Sequence, residues 1–279
     1  MQMSSPAQST LDLKLRVGCE FVYEPALDTA AIFVVRPVAH GAHQMLSETW
    51  VTAPQVPWHD YADAFGNICR RLTMPAGPFT VRYDALVSVT SELDPLVPDA
   101  GLQRIEDLPD EALVYTLPSR FCLSDVLFFR AQELFGTVEP GWPCVQAICD
   151  WVHANISFAY GSSVATTTAA DVLESGTGVC RDFAHLAISF CRAMNVPARY
   201  AFGYLPDIDV PPPGLPMDFC AWFEAYLGGR WYTFDPRNNE RRKGRVLIGR
   251  GRDALDVAMV TSFGAPVFKS MTVVAEPAQ

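Results

Sequence analysis

The apolar residues of this chain change their spacing part-way along it, and that change limits the folds open to it. From Leu11 to Thr90 much of the sequence alternates apolar and polar positions, the period of a half-buried strand. Leu11, Leu13, Leu15 and Val17 point one way; Asp12, Lys14 and Arg16 point the other. Further strand-like runs are Ile32–Val35, Ile68–Met74 and Phe79–Thr90, with Pro75, Ala76, Gly77 and Pro78 predicting a hairpin turn between the last two. Several short strands with no helical run between them predict a sheet or sandwich. Leu93–Pro118 is acidic and holds Pro95, Pro98, Pro109 and Pro118, which reads as a linker.

Beyond the linker the period lengthens. Val145, Ile148, Cys149, Val152 and Ile156 fall on one face of a helix predicted over Trp142–Ile156. A second helix is predicted from Cys180 to Asn195, with Phe183, Ala187, Phe190 and Met194 on its core face and Pro197 closing it. Three strands follow, Ala198–Leu205, Asp218–Leu227 and Arg230–Arg237, the last two joined by Gly228 and Gly229 as a two-residue hairpin. The expected fold is therefore α+β. The predicted division places a β-rich domain with its linker in residues 1–120 and a helix-containing domain in residues 121–279.

Composition narrows the function classes. The chain has 279 residues, 49% of them hydrophobic and 19% charged, as in folded globular proteins. Its longest apolar stretch, Ala30–Val35, is far short of the roughly 18 residues a membrane span needs, so no membrane partner is expected. The polar Met1–Thr10 lacks the basic-then-apolar layout of a signal peptide, which predicts a cytoplasmic protein. With 21 basic against 31 acidic residues the net charge is −10, which repels phosphate backbones and argues against nucleic acid. The one basic run, Glu240–Arg245, reads as a solvated loop. None of the 8 cysteines forms a C-x-x-C pair, so a zinc ribbon and a thioredoxin-type site are unsupported. Most are expected to be buried, reduced thiols.

One cysteine stands apart. In Glu174–Asp182 a glycine-rich turn delivers Cys180 to the first turn of an apolar-faced helix. Backbone N–H groups and the helix dipole there are expected to lower the thiol pKa and to offer an oxyanion site. Taken alone, Cys180 reads as one more buried thiol, since free cysteines are more often structural. The hairpin adds weight: with Gly228 and Gly229 as the loop, Leu227 pairs with Arg230, Glu224 with Thr233 and Trp222 with Asp235. Cys220, Trp222, Glu224, Thr233 and Asp235 then share a face, with position 220 and Asp235 as diagonal neighbours.

These segments resemble the core of the transglutaminase-like superfamily, in its bacterial cysteine-protease branch, over about Gly141–Phe263. The matching stretches are Gly178–Ala184 around the nucleophile, Asn195–Tyr200, Asp218–Glu224 as the base strand and Trp231–Pro236 as the acid strand. The resemblance implies a papain-like core, its nucleophile helix packed on an antiparallel sheet after a β-rich N-terminal domain. It also implies Cys180 as the nucleophile that attacks a peptide or amide carbonyl and forms a thioester, and Asp235 as the orienting acid. Hydrolysis is the default outcome, with a peptide or protein as substrate and no cofactor. Tyr160 is a candidate oxyanion donor and Trp222 a candidate pocket wall, although both residue types more often serve packing.

The family pattern places its catalytic histidine at position 220, where this sequence has Cys220. A thiol neither accepts a proton readily nor holds one as a cation near neutral pH. His153 and His185 read as structural or surface histidines, and His40, His43 and His59 lie in the β-rich half. Three outcomes are open: a thiolate activated by the helix N-terminus alone, with slow acyl transfer; a binding module that keeps the fold without the chemistry; or a Cys180–Cys220 disulfide, which needs Cα atoms within roughly 7 Å. A metal held by Cys180, Cys220 and Asp235 is the least favoured, because sites of this kind usually include histidine. Oligomeric state is not legible.

Overall fold

The alternation between Leu11 and Thr90 resolves into six strands: β1 (Leu13–Glu24), β2 (Thr29–Phe33), β3 (His43–Ala53), β4 (Trp58–Ala62), β5 (Ile68–Met74) and β6 (Phe79–Val89). This is a computed structural model, and it describes residues 11–39, 41–211 and 214–278. The strands divide between two antiparallel sheets. β1, β6 and β3 adjoin in one, while β2, β5 and β4 adjoin in the other. Aromatic rings from both sheets meet in the shared core, Phe21 of β1 lying edge-on to Phe33 of β2 at 6.0 Å. Phe33 in turn meets Trp50 of β3 at 6.0 Å. The segment Pro75–Pro78 is not the expected hairpin turn. β5 and β6 belong to different sheets, and the segment carries the chain from one to the other. Neither proline has an N–H to give to a ladder, and the N–H groups between them go to the Asp28 carboxylate (3.0 Å) and the Pro25 carbonyl (2.8 Å).

The second half contributes α2 (Phe128–Phe135), α3 (Trp142–Asn155), β7 (Ser157–Phe158), α4 (Ala169–Ser175), β8 (Thr177–Gly178) and α5 (Cys180–Ala193). After them come β9 (Ala198–Tyr204), β10 (Cys220–Leu227), β11 (Arg230–Phe234) and β12 (Val246–Gly251). A short α1 (Asp110–Leu113) precedes them all. The third sheet has the order β11-β10-β9-β12, all neighbours antiparallel, and α5 packs on β10 and β9. This mixed architecture agrees with the α+β expectation. The predicted hairpin register holds as well: Leu227 lies opposite Arg230 and Glu224 opposite Thr233. Gly228 and Gly229 have φ of 55° and 89°, the left-handed pair that a tight two-residue turn requires. α5 ends where Asn195 turns left-handed (φ 61°), two residues ahead of Pro197.

Two expectations give way. Leu93–Pro118 is not a free linker: Ala100, Leu108, Ala112 and Tyr115 are buried. The carbonyls of Ala100 and Gly101 accept hydrogen bonds from Trp142 and Gly228, both at 2.9 Å. The division at residue 120 also fails to follow the sheets, because the chain returns to the N-terminal strands at its end. β13 (Val260–Ser262) pairs with β2, and β14 (Val267–Pro277) runs antiparallel to β1 along almost its whole length. The open edges of β1 and β2 are covered this way, which strand pairing demands and local sequence does not reveal.

Arg192, near the C-terminal end of α5, is 3% exposed and joins three parts of the chain. Its guanidinium donates to the carbonyls of Ala198 (2.8 Å), Leu117 (3.0 Å) and Arg252 (2.6 Å). Arg192→Met leaves these buried carbonyls without a donor and is expected to lower stability by about 3 kcal/mol or more. Urea unfolding measures this, and a loss below about 1 kcal/mol would show that water or neighbouring groups take over the role.

Candidate active-site cleft

The turn before α5 is shaped by two residues of the Gly-Val-Cys-Arg-Asp stretch. Asp182 is fully buried and its carboxylate accepts the Val179 N–H at 2.8 Å, capping the helix. A Cβ on Gly178 would come within 2.8 Å of the Asp182 side chain, so only glycine leaves room for that cap. Arg181 pairs with Asp182 at 2.9 Å and donates to the Val164 carbonyl, fixing the loop before α4. Between them Cys180 points into a cleft of about 670 Å³. Its thiol lies 3.8 Å from the Phe219 carbonyl at the start of the base strand.

The expected activation of this thiol is not what the surroundings produce. Burial pushes the Cys180 thiol up to about 11, and the Ala221 N–H and the Arg237 charge only partly oppose it. Burial disfavours the charged thiolate more than those two groups stabilise it. Cys220 lies in the same cleft, and its burial and the Asp235 charge push its thiol well above the ordinary value. Both are free thiols, as are the other cysteines.

Asp235 is buried 6% exposed, but its partners are not those of a triad acid. It accepts from the Asn238 backbone N–H (3.0 Å), the Asn238 amide (2.8 Å) and Arg245 (2.9 Å). Arg245 also binds Asp94 at 2.9 Å and lies over the Trp222 ring at 5.0 Å. The Glu240–Arg245 run, expected to be solvated, therefore holds Arg242, which is buried and pairs with Asp207, and Arg245, whose side chain is only 8% exposed and pairs with Asp94 and Asp235. Trp222 does not wall the cleft. It packs with Val38, Ala201, Leu205, Cys220 and Leu247, over Gly203, where a Cβ would come within 3.0 Å of its ring. Tyr160 does line the cleft, half-exposed and edge-on to Phe158 at 5.1 Å. Burial and the nearby Asp218 carboxyl hold its hydroxyl protonated, with its pKa raised.

No histidine among the described residues lines this cleft. His185 is buried behind it, stacked on Phe121 at 5.3 Å, and its Nε2 accepts the Ala254 N–H at 3.1 Å. Burial lowers its pKa to about 3. His153 contacts the Arg237 carbonyl through Nδ1 at 2.9 Å. His43 and His59 sit on β3 and β4, while His40 lies outside the described residues. Sequence reasoning missed Asp218 and Arg237, which line the cleft beside Cys180. It also missed the wall formed by Phe21, Tyr23, Phe268 and Met271, which comes from β1 and β14. Proximity of Arg237 to Asp235 was the one signal available; the wall had none, since it depends on the return of β14. Among the described residues no three His, Cys, Asp or Glu side chains group as a metal site.

Residues 130–236 match the family model described as the transglutaminase-like superfamily. The chain is 34% identical to an uncharacterized Mycobacterium leprae protein over 249 residues, covering 85% of this chain and 88% of that one. It is 30% identical to an uncharacterized Mycobacterium tuberculosis protein over 216 residues, covering 70% and 68%. A solved structure from Cytophaga hutchinsonii, described as a "Putative Cysteine Protease", superposes with a TM-score of 0.87 at 31% identity, covering 96% of this chain and 91% of that one.

With its thiol held up to about 11, Cys180 is expected to react with iodoacetamide at a rate that climbs about tenfold per pH unit from pH 7 to 10. Peptide mass spectrometry without prior reduction reads the rate. A plateau already reached below pH 8.5 would show a stabilised thiolate instead.

Proposed function

The chain belongs to the transglutaminase-like superfamily, and we propose that within it this protein recognises peptides through a cleft that lacks the base for acyl transfer. The observation that carries this reading is the pairing around position 220. A thiol stands where the family has its histidine, and Asp235 is engaged by Arg245 and Asn238. Attack on an amide needs a thiolate and later a proton for the leaving amine. With its thiol pushed up to about 11, Cys180 is held mostly protonated at pH 7. Cys220, itself pushed upward, supplies no proton acceptor.

What remains is a recognition surface. A cleft of about 670 Å³ lies within the range of small-ligand sites and would accept one or two peptide side chains. Its walls are mostly apolar and aromatic, Phe21, Phe121, Phe158, Phe219 and Met271 among them, with Cys180, Asp218 and Arg237 as the polar groups at one place. Apolar burial would supply affinity and the polar groups orientation.

A second reading rests on a specific observation: Cys180 stands in the first turn of α5 and faces the cleft and the Ala221 N–H. There it would act as a slow nucleophile toward an activated acyl group. The sulfur bonds to the carbonyl carbon as the C–N bond breaks, the thiol proton leaves on the amine, and water then cleaves the C–S bond to give a carboxylic acid and the free thiol, with the Tyr160 hydroxyl as an oxyanion donor.

The protein is expected to bind apolar peptides without turning them over. Turnover by the native chain that disappears in Cys180→Ala would overturn the binding reading in favour of the second. Cys220→His supplies the missing imidazole, and Cys180 alkylation at pH 7 is expected to rise at least about tenfold through an ion pair. An unchanged rate would mean that the Asp235–Arg245 contact keeps the new ring from the sulfur.

A further inference from the structure

Three arginines line the cleft, and two of them are neutralised within the fold. Arg181 is paired with Asp182 at 2.9 Å, and Arg242 with Asp207 at 3.0 Å. Among the described residues the Arg237 side chain makes no ion pair. Its guanidinium lies over the Phe158 ring at 4.3 Å, which leaves its N–H edge available to a ligand. Its backbone is held firmly. The Asp235 carbonyl accepts from Asn239 at 2.7 Å, the Asp235 carboxylate from the Asn238 N–H at 3.0 Å, and the Arg237 carbonyl meets His153 at 2.9 Å. The acid that orients a histidine in the family here braces the turn that carries Arg237 into the cleft.

Resting on the peptide-recognition reading, we propose that Arg237 is the specificity residue of this cleft and anchors a carboxylate of the bound peptide. The ligand is then a peptide in which an acidic side chain adjoins a large apolar one. The apolar side chain enters the wall formed by Phe21, Tyr23, Phe268 and Met271, and the carboxylate meets the guanidinium. A planar, fork-shaped donor set favours a carboxylate, which it binds through two parallel hydrogen bonds. The charged groups facing Arg237 leave it free for this role. Asp218 lines the same cleft without forming an ion pair to Arg237; its carboxylate accepts the Phe219 N–H at 2.7 Å, and burial raises its pKa while the Arg237 charge partly opposes the rise. Asp207 and Asp182 are already paired. Stacking on Phe158 holds the guanidinium plane in place before the ligand arrives, so little side-chain freedom is lost on binding.

The test compares two fluorescein-labelled, end-blocked peptides that differ at one position, phenylalanine followed by glutamate or by glutamine, titrated with the full chain. The native protein is expected to bind the glutamate peptide about tenfold more tightly, with the preference shrinking as salt is raised. Arg237→Gln abolishes the preference by weakening the glutamate peptide more than the glutamine peptide, and Arg237→Lys retains part of it. Equal binding of both peptides by the native chain would overturn the assignment while leaving peptide recognition intact. So would an equal loss of both in Arg237→Gln, which marks Arg237 as structural. Binding of neither peptide at millimolar concentration would overturn the peptide-recognition reading itself, and this inference with it. Unfolding curves of both variants verify that each is folded.

Discussion

Arg245 lies at the centre of the arrangement that gives this cleft its character. One guanidinium joins Asp94, from the segment between the two halves, to Asp235, at the end of the acid strand. It does so while buried and stacked on Trp222. Removing one partner from such a cluster leaves an uncompensated buried charge, at a cost of about 3–5 kcal/mol. The constraint spreads outward from there. Asp235 caps the turn that leads to Arg237, Trp222 fills the face of β10 that carries Cys220, and Asp94 also accepts the Arg242 N–H at 3.0 Å. An acid so committed holds the local fold together in place of orienting a base.

The second organising fact is the return of the chain to its beginning. Because β14 lies against β1, residues separated by most of the sequence build one wall of the cleft, Phe21 and Tyr23 beside Phe268 and Met271. The opposite wall comes from α5 and the strands that follow it, including Cys180, Tyr200 and Phe219. The cleft therefore sits where the sandwich meets the helix-bearing sheet, a common location for ligand sites between packed units. Its polar group of Cys180, Asp218 and Arg237 comes from the helix-bearing part, and the wall of Phe21, Tyr23, Phe268 and Met271 from the sandwich.

Much of the second half could be read directly from its residues. The spacing from Val145 to Ile156 predicted α3, and Gly228 with Gly229 predicted the turn and, through it, the register of β10 and β11. These features depend on neighbours a few positions apart. Elsewhere, local signals misled. Two prolines and a glycine at Pro75–Pro78 look like a hairpin, yet the strands they separate pair with others. The basic run ending at Arg245 looks solvated, yet its partners Asp94 and Asp207 lie far away in the chain. Trp222 was assigned to the correct face of its strand, but its ring packs against Val38, Ala201, Leu205 and Leu247 and leaves the cleft to Cys220.

The identity of the residues settled several matters with no need of coordinates: an α+β chain, a cysteine at the start of a helix, and the lack of a histidine at position 220 opposite that cysteine. The first two follow from side-chain type and short-range spacing, and the third from the family resemblance, which sets position 220 against Cys180. The ionisation of Cys180 was decided otherwise. A helix N-terminus favours a thiolate, whereas the folded surroundings bury the sulfur and hold its pKa at about 11. The engagement of Asp235 by Arg245 and the exposure of Arg237 to the cleft are decisions of the same kind. Solvation and ion pairing depend on what long-range packing brings within a few ångströms, and no window of neighbouring residues contains that information.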